Sequence, residues 1–476
     1  MLPPAILAEF AALLGTERAR TDADTLALYA QDETPGRCTP EAVLFPNSHE
    51  QVAGCVRLAL KHKLPITPRG AGSGNVGGAQ PTPGSVVLSF ECMNRIVEFD
   101  PANRLIVVEP GVVTQDIDRL ARTAGLMYAP DPGSGAYSRI GGNLAMNAAG
   151  PRAVKYGVTR DHVLGLRAVA GDGRELRTGG RTSKYATGYD LTRLLIGSEG
   201  TLALITEATL KLMPAPERTV SLRVCYASDT AACAAVQRIM QQPVVPSALE
   251  FMDRRSIEAI TEYGVSVEAN VMRSGRSQFG AAEGLAPGTE AVLMVEADGP
   301  AEDIPRQIAA LENALRGDGL LELQTGFTPA EIQNLWTARK SLSHAVKKIA
   351  PLKINEDVVV PVSRLAELVA AIDAMGTLHR LPIVSFGHAG NGNLHVNLMV
   401  HPDDEDEMAR AETCLRELVE TVLRLGGTLS GEHGIGTKKR QFLPLEIEPD
   451  TLTLMRELRR VFDPQGILNP GKKLPD

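Results

Sequence analysis

Alternating and helical spacings of hydrophobic residues divide the first part of the chain into short elements. Ser48, followed three residues later by a glutamine, forms a capping-box pattern and predicts a helix that runs to about His62. Alternation with a period of two predicts strands at 163–170 and 175–178, and Gly171-Asp-Gly173 between them predicts a hairpin. Pro214-Ala-Pro216 then marks the end of this first region.

Beyond residue 217 the pattern changes to strands that alternate with longer helices. Strands are predicted at 219–226 and 290–297, and helices at 229–241 and 301–316. This order is typical of an antiparallel sheet that helices cover, so the fold class is expected to be α+β. The expected domains are 1–215, with a core at 42–212, then a cap domain at 216–425, and a C-terminal segment at 426–476.

One helix of the second region carries a charged residue on its apolar stripe. Thr328, Pro329 and Glu331 combine a capping residue, a proline at the first helical position and a capping-box partner, which predicts that a helix begins there. Its apolar stripe is completed by Arg339, and a buried guanidinium requires an anion. The alternative is that Arg339 extends to solvent. A later helix is predicted to be capped by Ser363.

Two histidines flank a glycine-asparagine turn near the C-terminus. Gly390 to Asn393 predicts a tight reversal, and a strand follows in which Leu394, Val396, Leu398 and Val400 share one face. His395 and Asn397 lie on the other face. The turn is expected to bring the imidazoles of His388 and His395 together.

A third ligand is expected from the adjacent pair Glu432-His433, because two histidines and a carboxylate form a common open site for a divalent metal. Adjacent side chains cannot point the same way. One of the two is therefore expected to bind the metal, while the other faces the substrate. The alternative reading is that all these residues are ordinary polar residues near turns.

Two glycine-rich regions predict a ligand that approaches the backbone closely. Residues 69–78 form a loop dense in unhindered amides, which suits phosphate or pyrophosphate. The loop matches GxGxxG, but prolines at 81 and 83 and a predicted strand at 85–89 exclude the helix that a Rossmann unit requires. A second region at 129–150 places small residues where a large flat ligand could lie. The alternative for the first loop is a long structural turn.

Composition narrows the class of protein further. The 476 residues carry a net charge of -8, which argues against a nucleic-acid binder. Six cysteines without CxxC spacing indicate free thiols in a reducing compartment. The first residues lack the basic pattern of a signal peptide, and no apolar run approaches about 18 residues. A cytoplasmic location is expected, and peripheral contact with the inner face of the membrane is left open.

Residues 42–212 resemble the FAD-binding domain of the vanillyl-alcohol oxidase (p-cresol methylhydroxylase) superfamily, and the rest of the chain resembles its FAD-linked oxidase C-terminal domain. Within that superfamily the chain is similar to D-2-hydroxy-acid dehydrogenases: cytochrome-type D-lactate dehydrogenase, the flavin subunit of glycolate oxidase and D-2-hydroxyglutarate dehydrogenase. The resemblance implies a two-subdomain FAD-binding domain, an antiparallel-sheet α+β cap, and a C-terminal helical segment that returns to the FAD domain.

The resemblance also implies where FAD binds. The first glycine loop would hold the pyrophosphate, the second region the isoalloxazine and ribityl chain, and a third group the adenine side. Because the first loop has no histidine, non-covalent FAD is expected. The implied contacts are Arg69, Gly70, Ala71, Gly72, Ser73, Gly74, Asn75, Gly77, Pro130, Asp131, Pro132, Gly133, Ser134, Ser138, Gly141, Gly142, Asn143, Ala145, Asn147, Gly150, Glu199, Gly200, Ile205 and Asn469.

By the same resemblance, Arg339 would bind the substrate carboxylate with help from Ser343, Lys353 and Asn397. A metal on His388, His395 and Glu432 would lower the pKa of the substrate hydroxyl, and His433 would remove its proton. Zinc is favoured, with manganese and iron left open.

The expected activity is oxidation of a D-2-hydroxy acid to the 2-oxo acid, with hydride transfer to flavin N5. D-lactate-like acids are favoured because the segment from Lys353 to Pro361 resembles that branch. D-2-hydroxyglutarate dehydrogenase, the flavin subunit of a multi-subunit glycolate oxidase, and a flavin-free metal-dependent hydrolase are the alternatives. The expected partner is an electron acceptor (cytochrome, quinone or electron-transfer flavoprotein), no nucleic acid is expected, and a homodimer is left open.

Overall fold

Two compact units make up the described chain. A computed structural model describes residues 2–263 and 285–475, without the side chains of residues 263, 338, 340, 341, 343 and 344. The first unit comprises residues 1–150, 157–215 and 432–476, and the second comprises residues 151–156 and 216–431.

The helices, in chain order, are α1 (Pro4–Leu14), α2 (Ala23–Leu28), α3 (His49–His62), α4 (Thr114–Arg122), α5 (Ile140–Met146), α6 (Ala153–Tyr156), α7 (Leu191–Leu195), α8 (Asp229–Gln241), α9 (Arg254–Tyr263), α10 (Ile304–Leu315), α11 (Pro329–Ala345), α12 (Leu365–His379), α13 (Glu405–Arg424), α14 (Leu443–Glu446) and α15 (Pro449–Phe462). The strands are β1 (Ala19–Arg20), β2 (Ala42–Leu44), β3 (Ile66–Arg69), β4 (Val86–Ser89), β5 (Ile96–Asp100), β6 (Leu105–Val108), β7 (Leu126–Met127), β8 (Val163–Ala170), β9 (Glu175–Gly179), β10 (Ala203–Lys211), β11 (Met213–Pro214), β12 (Arg218–Tyr226), β13 (Ala248–Met252), β14 (Ala291–Gly299), β15 (Leu320–Gly326), β16 (Leu352–Val359), β17 (Ile383–Gly387) and β18 (Asn393–Val400).

The first unit is built around two sheets. A four-stranded sheet has the order β1-β2-β4-β3, with β4 parallel to both of its neighbours. A five-stranded antiparallel sheet has the order β5-β6-β10-β8-β9 and contains the predicted hairpin β8–β9. The glycine loop after β3 leads to β4 without an intervening helix, which confirms the exclusion of a Rossmann unit.

The second unit contains a seven-stranded antiparallel sheet with two unlike faces. Its strand order is β15-β12-β14-β13-β17-β18-β16. One face is mostly apolar and packs against α8, α10, α12 and α13, with the buried Glu356 of β16 as an exception. The other face is packed partly by α9 and α11 but carries charged residues between its apolar ones, such as Glu250 in β13 and Glu296 in β14. The expected α+β class is therefore confirmed, and the second face becomes the place to search for chemistry.

Two helix starts test the capping predictions. The Glu331 amide donates to Thr328 Oγ1 at 3.3 Å, and the Thr328 amide donates to Glu331 Oε2 at 3.0 Å, so the predicted capping box at α11 is confirmed. The prediction that Ser363 caps the next helix is wrong. Residues Val362–Arg364 form a short 3-10 turn, and α12 begins at Leu365 without a side-chain cap.

A half-buried carboxyl at the start of α8 predicts a pH-dependent stability. Burial raises the pKa of Asp229 to about 7, and the negative charges of Asp253, Glu290 and Asp373 add to the shift. Because the folded pKa lies above the ordinary value of 3.8, stability is full below pH 4 and falls as pH rises through 7. We expect Asp229→Asn to raise the free energy of unfolding by about 1–2 kcal/mol at pH 8.5 and to add little at pH 4, after allowance for solvent screening and the favourable helix N-terminus.

Chemical denaturation at the two pH values measures this difference. Asp406→Asn, at an exposed position in the first turn of α13, is the matched control and should shift stability by less than about 0.5 kcal/mol at either pH. Equal effects of Asp229→Asn at both pH values would contradict the prediction.

Candidate functional site

The polar face of the second unit's sheet brings together side chains from neighbouring strands. In β18, Leu394, Val396 and Leu398 are fully buried in the apolar core, so His395 and Asn397 lie on the opposite face, as the alternation predicts. Asp357 in β16 is the direct antiparallel partner of His395. Strand register therefore adds a buried carboxylate that sequence reasoning did not assign.

His388 and His395 converge as expected from the turn between them. His388 directly follows β17, the short turn Ala389–Asn391 comes next, and Gly392 has a φ of 71° that reverses the chain. An added Cβ at Gly392 would lie 1.9 Å from the Val360 carbonyl oxygen, so glycine is required here. The two imidazole centroids are 5.1 Å apart with an interplanar angle of 89°. The turn thus places both rings at one point of the sheet.

Potential metal ligands gather where the second unit ends. The Gly431 amide donates to the Asp357 carbonyl oxygen at 3.1 Å, and Ser430 Oγ donates to Asp357 Oδ2 at 3.2 Å. Glu432 and His433 follow directly. Asp357, His395, Glu432 and His433 each offer a ligand atom, and these atoms all lie within 4.8 Å of one another. A cation could be held by these nitrogen and oxygen donors, which suit a divalent transition metal.

This group shares two of its four members with the three ligands predicted from the sequence. It contains His395 and Glu432, adds Asp357, and includes His433, to which the sequence assigned the role of base. His388 lies beside His395 but is not part of the group. The geometry therefore supports a metal site at this point, and the assignment of individual ligands stays a prediction.

His388 instead belongs to a buried, hydrogen-bonded triad with Glu250 and Arg339. Its Nδ1 lies 2.5 Å from Glu250 Oε1. Arg339 donates through Nε at 2.9 Å and Nη2 at 2.7 Å, both to Glu250 Oε2. Burial alone would raise the pKa of Glu250, but His388 and Arg339 lower it to about 2. The buried carboxylate is therefore held as an anion by two positively polarised partners.

The sequence indicated that Arg339 needs an anion but missed Glu250. The guanidinium also stacks over Phe386, with Cζ 4.8 Å from the ring centroid. A signal was present in the strand Ala248–Met252, where Glu250 is the one charged residue among buried apolar neighbours. Such a carboxylate is costly to bury unless it is paired.

The other predicted substrate residues are placed less directly. Lys353 lies in β16, half-buried, opposite Met399. Asn397 is fully buried, and its amide donates to the carbonyl oxygens of Val384 and His395 at 3.0 Å while accepting from Asn355 at 2.7 Å. The side chain of Ser343 lies outside the described residues. Substrate contacts for these three residues remain predictions.

The first glycine loop, in the first unit, presents its backbone amides outward. Within the described residues, the amides of positions 71–75 donate no hydrogen bond to another part of the chain. The loop is held at its far end, where the Gly77 amide donates to Thr34 Oγ1 at 2.7 Å. Arg69 folds beneath the loop, donating to the Gln31 carbonyl oxygen at 2.6 Å. Successive amides with no protein acceptor fit a pyrophosphate.

In the second glycine-rich region the backbone packs closely, and one buried serine hydroxyl is unsatisfied among the described residues. An added Cβ at Gly150, where φ is 129°, would lie 2.4 Å from the Asp131 carbonyl oxygen, and one at Gly141 would lie 2.6 Å from Pro110 Cβ. Ser138 is buried, and in the part of the chain that the structure describes its Oγ has no hydrogen-bond partner. An added Cβ at Gly142 would meet nothing within 4 Å. Open space and an unsatisfied hydroxyl fit a bound cofactor.

Several residues predicted to contact FAD also have structural contacts. Asn143 donates to Thr114 Oγ1 at 2.7 Å, and Asn147 accepts from the Arg160 amide at 2.9 Å. Glu199 is buried, with a φ of 57°, and its carboxylate accepts from the amides of Ile435 and Gly436 at 2.8 Å.

The remaining predicted FAD contacts, Asn469 and those on the adenine side, are likewise packed within the first unit. Asn469 donates to the carbonyl oxygens of Gly78 and Glu199. Ile205 belongs to the apolar core around β10. An added Cβ at Gly200 would lie 2.5 Å from Pro68 Cγ. Their contacts with adenine stay predictions.

A charge placed in the first glycine loop tests its role. Gly74 has no positive φ, and an added Cβ would meet nothing within 4 Å, so a side chain fits without strain. We expect Gly74→Asp to raise the Kd for FAD at least about ten-fold, because a carboxylate beside a pyrophosphate is repelled by about 1–4 kcal/mol at contact distance. Gly74→Asn, of equal size and neutral, is the control and should bind FAD several-fold more tightly than the aspartate variant. Fluorescence titration of the apoprotein measures both, and equal affinities would contradict the assignment.

Comparison with known families shows to which family the chain belongs. Residues 215–473 match the family model described as FAD linked oxidases, C-terminal domain, and residues 40–179 match the model described as FAD binding domain. The chain belongs to the FAD-linked oxidases. Its cofactor is accordingly FAD, which removes a flavin-free hydrolase from the alternatives.

Three proteins with similar sequences are named for three different activities. The chain is 39% identical to the glycolate oxidase subunit GlcD of Bacillus subtilis, over 94% of this chain and 91% of the relative. It is 36% identical to a D-lactate dehydrogenase of Anaerostipes hadrus, with the same coverage of both chains. It is 35% identical to a D-2-hydroxyglutarate dehydrogenase of Stutzerimonas stutzeri, over 99% of both chains. The resemblance to this group of dehydrogenases is confirmed.

A solved structure shows the same fold at low identity. The crystal structure of p-cresol methylhydroxylase with substrate bound superposes with a TM-score of 0.78 at 19% identity, covering 99% of this chain and 96% of that one. The expected p-cresol methylhydroxylase type of fold is confirmed. Among the described residues, no helix is long and apolar enough to cross a membrane.

Proposed function

We propose that this FAD-linked oxidase converts a D-2-hydroxy acid to the 2-oxo acid with the help of a divalent metal, D-lactate-like acids being favoured. The observation that carries the proposal is the group Asp357, His395, Glu432 and His433. A flavin oxidase that acted on an apolar C–H bond would have no use for four converging metal-ligand side chains. An acid with adjacent hydroxyl and carboxylate oxygens can chelate a metal.

The residues divide the reaction between them. Arg339 uses the N–H groups that Glu250 leaves open to bind the substrate carboxylate. His395 and Glu432, with His388 or Asp357, would hold a divalent metal, which would supply Lewis-acid activation of the hydroxyl. His433 takes the hydroxyl proton as the C2–H bond breaks. FAD, when bound, accepts the hydride from C2 and later passes two electrons to another acceptor.

Anaerobic mixing tests this reaction directly. Purified holoprotein, supplied with Zn²⁺ or Mn²⁺, is mixed with D-lactate, L-lactate, glycolate and D-2-hydroxyglutarate while flavin absorbance is followed. We expect rapid bleaching by D-lactate and much slower bleaching by L-lactate, since the C2–H bond of the wrong enantiomer points away from the hydride acceptor when the carboxylate and hydroxyl are held. Lack of bleaching by every acid would refute the proposal.

The flavin subunit of a multi-subunit oxidase is a second candidate, favoured by the 39% identity to a glycolate oxidase subunit. In that case this chain would need its partner subunits for turnover. Steady turnover of the isolated chain with an artificial electron acceptor would count against it. Cytochrome, quinone and electron-transfer flavoprotein, each supplied to the reduced protein, would identify the natural class of acceptor by the rate at which flavin absorbance returns. A cytoplasmic location remains part of the proposal.

A further inference from the structure

The carboxylate of Glu250 bridges the two predicted functions of the second unit. It is fully buried in the middle of β13, and its two oxygens have different partners: Oε1 meets His388 and Oε2 meets Arg339. Resting on the function proposed above, we infer that Glu250 is a positioning residue that couples binding of the substrate carboxylate at Arg339 to binding of the metal through His388.

Glu250 has no apparent value as a packing residue. Its neighbours in β13 are apolar and buried, and an apolar side chain at this position would avoid the desolvation of a carboxylate. Buried ion pairs often add nothing to stability compared with apolar residues of the same volume. The reason for a carboxylate here must therefore be sought in what it does to His388 and Arg339.

At His388 the carboxylate fixes both the ring orientation and the tautomer. A carboxylate oxygen 2.5 Å from Nδ1 accepts a hydrogen bond, so Nδ1 carries the proton and Nε2 keeps its lone pair for a metal. Carboxylate partners of this kind orient metal-ligating histidines in many proteins, and their removal costs about 10–100-fold in metal affinity.

At Arg339 the same carboxylate selects which edge of the guanidinium stays open. Nε and one N–H of Nη2 point at Oε2. The group has five N–H donors, so both N–H groups of Nη1 and the second of Nη2 remain. That edge matches a bidentate carboxylate. Stacking on Phe386 further fixes the plane.

Metal binding and substrate binding are coupled because His388 and Arg339 share the carboxylate of Glu250, which is held rigidly. Strands β13 and β17 pair directly, with Phe251 opposite Gly387, so Glu250 and His388 have fixed backbones. A change at Oε1 therefore also changes the orientation that Oε2 presents to Arg339.

The test compares two buried carboxylates on the same face of the same sheet. Glu250→Gln is matched with Glu296→Gln, because Glu296 lies on the adjacent strand β14, is also buried, and has Ser221 and Ser247 as hydrogen-bond partners. In the FAD-loaded full chain, Zn²⁺ affinity is measured by chelator competition, and pyruvate affinity by calorimetry at saturating Zn²⁺. We expect Glu250→Gln to weaken Zn²⁺ binding about 10–100-fold and pyruvate binding about ten-fold, and Glu296→Gln to stay within about two-fold of the parent in both.

Each outcome decides the inference. Glu250→Gln values that match those of Glu296→Gln would overturn it, and weakening of only one of the two ligands would overturn the coupling. If Glu250→Gln does not fold, Glu250→Asp is measured in its place, and failure of both variants to fold beside a folded Glu296→Gln would make Glu250 a structural residue. Neither measurement requires turnover, so an inactive but metal-binding and pyruvate-binding parent would refute the proposed reaction without deciding the role of Glu250.

Discussion

His433→Ala is expected to lower the rate of flavin reduction by the 2-hydroxy acid about 10²–10⁴-fold while the protein stays folded and yellow. The physical reason is that breaking the C2–H bond leaves positive charge unless the hydroxyl proton departs, and a positioned base supplies about this factor. Stopped-flow absorbance under anaerobic conditions measures the rate. FAD should be retained, because none of the predicted FAD contacts is His433.

The decisive control for His433 is metal content. His433 lies in the group of potential ligands, so a loss of turnover could follow from loss of the metal rather than of a base. We expect His433→Ala to keep its metal, and a metal-depleted variant would make His433 a ligand. His401→Ala, at an exposed histidine that pairs with Glu407, should leave the rate unchanged. An unchanged rate in His433→Ala would remove the residue from the mechanism.

His395→Ala is expected to abolish stoichiometric metal binding, leaving less than about one tenth of a metal per chain after dialysis. His395 belongs both to the set predicted from the sequence and to the group that the structure brings together. Loss of one imidazole leaves too few ligands for a site that must also keep a position open. Elemental analysis of the purified variant measures the metal. His379→Ala, which removes a histidine paired with Glu417 at 2.7 Å, is the matched control and should keep a full complement. Retained metal in His395→Ala would refute the site.

Two further variants assign the disputed ligand. The sequence places His388 in the site, whereas the geometry places Asp357 there. If His388 is the ligand, His388→Ala depletes the metal and Asp357→Asn keeps most of it. The reverse result would transfer the role to Asp357. We expect Asp357→Asn to fold, since Asn393 Nδ2 donates to Oδ1 and Ser430 donates to Oδ2, contacts that an amide can partly retain.

Local sequence rules were reliable where neighbouring residues decide the structure. The capping box at Thr328, the β8–β9 hairpin, the alternation in β18 and the helix-free glycine loop depend on backbone preferences and on periodicity over a few residues. The wrong prediction of a cap at Ser363 also depended on the local backbone conformation. A serine before a helical pattern is a cap only if the backbone there is extended, and the 3-10 turn Val362–Arg364 removes that geometry.

The candidate site required information that one strand does not contain. The sequence indicated that Arg339 requires an anion and that His388 and His395 approach each other, because both conclusions follow from a helical stripe and a turn. Glu250 and Asp357 were missed because their meaning depends on strand register. Glu250 reaches His388 through the pairing of β13 with β17, and Asp357 faces His395 through the pairing of β16 with β18.

By itself, then, the sequence determined the α+β class, and it predicted two glycine-rich loops for FAD and a histidine-rich stretch for a metal. These features depend on short-range chemistry: backbone freedom at glycine, hydrophobic periodicity and the types of donor atom. Only the tertiary structure decided which carboxylates accompany them, because strands distant in sequence become neighbours through hydrogen-bond register. A one-residue shift of β16 against β18 would turn Asp357 to the apolar face, and the alternation within either strand does not say which residue of the other strand lies opposite.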